Sequence, residues 1–145
     1  MTRWIFHPAI GAETARLIDW VRNYLSPYDL TSLDQVRVDA GQKGSGAETW
    51  QGVHGYCDYP QGRGKSRRGF RIYCEVTGPY PFTLHASATR IRNVGEAIAW
   101  IVGHEAFHFL CESGQLHGRN SEREANAAGK AAVKHYRAFA RERSG

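Results

Sequence analysis

The sequence has no run of about eighteen or more apolar residues, so it offers no membrane-spanning helix. Its opening stretch, Met1 to Pro8, is too short and too polar for the apolar core of a secretory leader, and the expected setting is cytoplasmic. Cysteine is scarce. Cys57, Cys74 and Cys111 are an odd three with no CxxC spacing, which excludes a zinc ribbon. In a reducing compartment all three are expected as buried thiols, with Cys57 and Cys74 facing each other on neighbouring strands. No internal repeat and no linker composition breaks the chain. Its 145 residues are expected to form a single domain, 1–145.

Hydrophobic residues make up 41% of the chain and aromatics 12%, which argues against disorder. The formal net charge is +5. Cations gather at Arg63, Lys65, Arg67, Arg68 and Arg71, and again at Lys134, Arg137, Arg141 and Arg143. The second group suits the carboxyl end of a helix. The first sits in a Gly-rich stretch and is the better candidate for phosphate contact. Clustered Lys and Arg are only an electrostatic footprint, so a solvated surface is favoured over specific nucleic-acid binding.

Residues 11–25 read as an amphipathic helix on Ala15, Ile18, Val21 and Leu25, ended by Ser26-Pro27. Alternation predicts strands at Gln35–Asp39, Gly52–Tyr59 and Phe70–Val76, the last with Phe70, Ile72, Cys74 and Val76 on one face. Ala40–Gly46 and Pro60–Gly69 read as loops, Thr77–Pro81 as a turn and Phe82–Ala86 as an edge strand. Val94–Cys111 lacks proline and is apolar nearly all round, as a buried helix should be, with Gly114 as its cap. A last helix starts after Asn120 or Ser121 and carries Ala125, Ala128, Ala132, Tyr136 and Phe139 as its apolar stripe. The expected fold class is α+β: a small, mostly antiparallel sheet packed on an N-terminal helix and two C-terminal helices that hold the functional site.

Residues 104–108 read His-Glu-Ala-Phe-His. At this spacing on a helix both imidazoles leave one face about one turn apart, which lets two ring nitrogens reach one ion. Glu105 falls beside that ion, placed to take a proton from an attacking water. Hydrogen-bonded core histidines are the structural alternative. Two histidines and a glutamate inside an apolar helix are otherwise costly, which favours a metal. A catalytic zinc needs a third protein ligand, and His117, Glu122 and Glu124 all follow the motif. Glu122, Ala125, Asn126 and Gly129 share one helix face, whose small residues would let it approach the first helix. Glu124 points about 200° away from Glu122. His117 is the alternative ligand, or a donor to the oxyanion formed in hydrolysis.

His104-Glu105-x-x-His108 followed by Glu122-Arg123-Glu124-Ala125-Asn126 resembles the gluzincin-type metallopeptidases, and among them the ImmA/IrrE-like proteins. The resemblance covers about residues 98–130. It implies that Glu122 is the third zinc ligand, that Asn126 orients a metal-bound histidine, and that the reaction is hydrolysis of a protein or peptide by water at a zinc site. His117-Gly118 is similar to the His-Gly context of the third ligand in the SprT-like family. That would imply a protease acting on DNA-bound proteins, with the Arg63–Arg71 stretch as the DNA contact. A binding module whose zinc is purely structural is the non-enzymatic alternative. Substrate, pathway and oligomeric state are not encoded in these patterns.

Overall fold

The computed structural model describes residues 1–41, 51–60 and 69–144. In chain order they form β1 (Arg3–Phe6), a 3-10 turn (Pro8–Ile10), α1 (Glu13–Leu25), β2 (Leu33–Ala40), β3 (Gly52–Asp58), β4 (Phe70–Thr77), β5 (Phe82–Leu84), β6 (Thr89–Ile91), α2 (Val94–Glu112) and α3 (Glu122–Ser144). The class is α+β as expected, with α2 packed against the sheet and α3 packed on α2.

Four strands run in the order β1-β2-β4-β3. The predicted pairing of β3 with β4 is antiparallel, with Tyr56 opposite Tyr73 and Gly55 opposite Cys74. β5 and β6 form a separate antiparallel hairpin. The β1–α1–β2 unit adds a parallel pairing, because a helix between two strands lets the second run the same way beside the first. β2 also pairs in parallel with β4. Four residues are too few for alternation to stand out, and β1 was not expected from the sequence.

Phe70, Ile72, Cys74 and Val76 are buried, while Arg71, Tyr73 and Glu75 stay half-exposed on the other face of the sheet. Val36 and Val38 continue the buried face onto β2. Against it lies α2, whose residues from Gly95 to Ala106 are all buried. That explains its lack of a polar side: the sheet covers one flank and α3 another. The helices approach closely at Gly103 and Gly129. A Cβ on Gly103 would come within 2.4 Å of the Ala132 Cβ, and one on Gly129 within 2.7 Å of the Trp100 indole.

Three details depart from expectation. The buried face of α1 is Leu17, Trp20, Val21 and Leu25, while Ala15 is exposed and Ile18 only half-buried. The two stripes overlap at helical spacing, and the larger side chains, led by Trp20, take the core because they bury more apolar area. All three cysteines are free, but only Cys74 is buried. Cys57 stands opposite Ile72 rather than Cys74. Residues 42–50 and 61–68 lie outside the described residues, and with them most of the expected Ala40–Gly46 loop and Arg63, Lys65, Arg67 and Arg68; Arg71 lies on β4, 3.4 Å from Asp58. Among the described residues, no helix is long and apolar enough to cross a membrane.

Candidate metal centre

The start of α2 fixes where its histidines fall. The Asn93 side chain accepts from the Glu96 N–H at 2.9 Å, and Glu96 reaches back to accept from the Arg92 N–H at 2.9 Å. These bonds satisfy amides that the first turn leaves without helical partners. Arg137 of α3 then donates to both Glu96 oxygens, at 2.9 and 3.0 Å, and locks the two helices together. Three turns on, His104 and His108 leave α2 toward the first turn of α3.

There they meet Glu122. His104 Nε2 lies 3.1 Å from one Glu122 oxygen and His108 Nε2 lies 3.1 Å from the other. The three ligand atoms all lie within 4.8 Å of one another, and the group could hold a metal ion. The histidine side chains are 9% and 12% exposed and that of Glu122 is 75% exposed, so the acidic ligand closes the group from the solvent side. Glu124, by contrast, stays exposed outside the group, its backbone N–H capped by Ser121 Oγ at 3.2 Å. His117 is exposed in the connection between α2 and α3 and neither joins the group nor lines its cavity.

The orientation of His108 is set from behind. Asn120 Nδ2 donates to Glu112 Oε1 at 2.8 Å, and Asn120 Oδ1 lies 2.7 Å from His108 Nδ1. A carboxylate accepts only, so the amide nitrogen must face Glu112 and the amide oxygen must face the ring. Nδ1 of His108 therefore carries a proton, and Nε2 is the ring nitrogen that faces Glu122. The sequence offered Asn120 as a helix cap; Ser121 takes that role, and the support of His108 by Asn120 was missed.

His104 stacks on Trp100, with ring centroids 5.1 Å apart. Burial holds its pKa below the usual imidazole range, and the charge of His108 adds to that. Glu122 and the half-buried Asn126 pull the other way. His104 Nδ1 is buried without a hydrogen bond of ordinary geometry, so Asn126 lies near the ring without closing the expected support.

Glu105 is buried at 4% exposure. Burial pushes its carboxyl up to about 7; His108 opposes this, and the negative charge of Glu122 reinforces it. Its nearer oxygen lies 3.8 Å from His104 Nε2.

The group opens onto a cavity of about 270 Å³ whose far wall is β3: Gly55, Tyr56, Cys57 and, just beyond the strand, Tyr59. β3 is an edge strand of the sheet, and β4 lies inside it. Gly55 is what lets the strand lie against α2. A Cβ there would meet the Tyr73 carbonyl oxygen at 2.6 Å, Ile101 at 3.0 Å and Glu105 Cγ at 3.2 Å. Alternation within residues 52–59 carries no sign of this, because the partner is a helix fifty residues further along the chain.

Family models, curated proteins and solved structures were all compared with this chain, and none matches. Its chemistry therefore has to be read from its own geometry. Two imidazole nitrogens and the Glu122 carboxylate gather within 4.8 Å of one another, one side stays open to a cavity, and a protonatable carboxylate is buried beside them.

Proposed function

We propose that this protein is a zinc-dependent hydrolase of peptide bonds, with His104, His108 and Glu122 as ligands and Glu105 as proton carrier. The observation that carries the reading is the convergence of both Nε2 atoms on Glu122 with Glu105 buried beside them. The donor set fits zinc: two imidazoles, one carboxylate, and no fourth protein ligand among the described residues. Three ligands and an open side suit catalysis, whereas a structural site would be closed by a fourth.

Zinc, when bound, polarises a carbonyl oxygen and makes water acidic enough to attack it at neutral pH. Glu105 receives the proton of that water and returns it to the leaving nitrogen, acting first as base and then as acid. Asn120 holds His108 in the tautomer that can ligate. The open edge of β3 presents backbone donors and acceptors to an extended chain, which favours a peptide substrate lying along the cavity.

The test is cleavage of a fluorogenic peptide library by zinc-reconstituted protein. Wild-type protein is expected to cleave, and Glu105→Gln, loaded with the same zinc, is not. Wild-type turnover by Glu105→Gln would remove Glu105 from the mechanism, and no cleavage by either protein would remove the peptidase reading.

A further inference from the structure

A second cavity lies at the opposite end of α2. At about 700 Å³ it is larger than the one at the metal centre and falls within the usual size of small-molecule sites. Three helices build it: Glu13 and Arg16 from α1, the segment from Arg92 to Glu96 at the head of α2, and the stretch from Lys134 to Arg141 on α3. Its walls carry five cationic side chains and two carboxylates.

Pairing decides what remains. Glu96 is taken up by Arg137 through two hydrogen bonds. Glu13 lies 3.7 Å from Arg16. Arg92, Lys134 and Arg141 form no ion pair among the described residues. Five cations against two carboxylates thus leave one concave space with an excess of three positive charges, although Arg92 also acts on Glu96 through its charge. The first turn of α2 adds little, since Asn93 and Glu96 already serve it.

From this we infer that the cavity is a binding site for a small ligand carrying two or more phosphate groups. Two guanidinium forks and an ammonium match phosphate oxygens in charge and in hydrogen-bond geometry. A single carboxylate or monophosphate would leave part of that charge unanswered. Tyr136 and Val94 give the same cavity an apolar wall, against which a non-phosphate part can lie. The site is independent of the metal centre, since no residue lines both cavities.

The probe is inorganic pyrophosphate, titrated by calorimetry into metal-free protein so that the ion site does not compete. Saturable one-to-one binding is expected, with inorganic phosphate at least tenfold weaker. The triple variant R92Q/K134Q/R141Q is expected to weaken pyrophosphate at least tenfold while keeping the wild-type circular dichroism spectrum and melting temperature. A control variant, R3Q/R22Q/R123Q, removes the same charge from exposed positions outside the cavity and is expected to bind as wild type. Equal weakening in both variants would reduce the effect to net charge and overturn the site, as would no saturable binding or equal affinity for phosphate and pyrophosphate.

Discussion

Two glutamates on α2, Glu96 and Glu105, are buried to the same 4% exposure and are pushed in opposite directions. Burial raises both. At Glu96 it is overcome by hydrogen bonds from the Arg137 side chain and the Arg92 backbone, helped by their charges, and the carboxyl ends below its ordinary value. At Glu105 no hydrogen bond among the described residues answers burial, and the carboxyl rises to about 7. The sequence gives the two the same residue type on one helix. What separates them is the partner α3 supplies: a guanidinium fork at one end, a second carboxylate at the other. A satisfied buried charge joins two helices, whereas one left poised near neutrality can move a proton.

The contrast is sharpest when each is replaced by glutamine. Glu105→Gln is expected to lower kcat by about 10²–10⁴, the usual contribution of a positioned acid–base group. Its urea unfolding midpoint is expected to be unchanged or raised, since no bond to the carboxylate is lost. A large loss of stability in this variant would make Glu105 structural and erase the contrast.

Next in size is Asn120→Ala. With Nδ1 of His108 unsupported, zinc affinity is expected to fall by about 10–100-fold, the range found for outer-shell partners of ligating histidines. Competition with a chromophoric chelator measures it. Unchanged affinity would mean that the Asn120 bond does not orient the ligand.

The smallest effect belongs to Glu96→Gln, with an expected cost of about 1.5 kcal/mol, since Arg137 keeps partial access to water. The pH dependence gives it a signature. The folded-state pKa of Glu96 is lowered, so its contribution is fully present above the pKa of an unfolded glutamate and is lost as pH falls through the folded value. Wild type and Glu96→Gln should therefore differ at neutral pH and converge in acid. A constant gap across that window in urea denaturation would contradict the assignment.

Much of this was written locally. The apolar envelope of α2 and the spacing of His104 and His108 are local signals, and the small face of Ala125 and Gly129 favours Glu122 among the residues that follow the motif while leaving His117 open. β4 showed itself by strict alternation. The features that were not legible depend on contacts between distant segments. Asn120 was ambiguous because the residue types that cap helices also support ligating histidines. The face of α1 was misjudged because two apolar stripes overlap and only the packed core chooses between them. His135 of α3 accepts a hydrogen bond from Trp20 Nε1 at 3.0 Å, a contact spanning most of the chain. Gly55 carried no local signal, since its meaning lies in the closeness of β3 to Glu105.

The most direct test of the central claim is elemental analysis of purified protein beside a Glu122→Ala variant. The account predicts one zinc per chain in the wild type and a sharp loss in the variant, with both proteins folded. Zinc retained at full stoichiometry in Glu122→Ala, or absent from wild type after reconstitution, would contradict it.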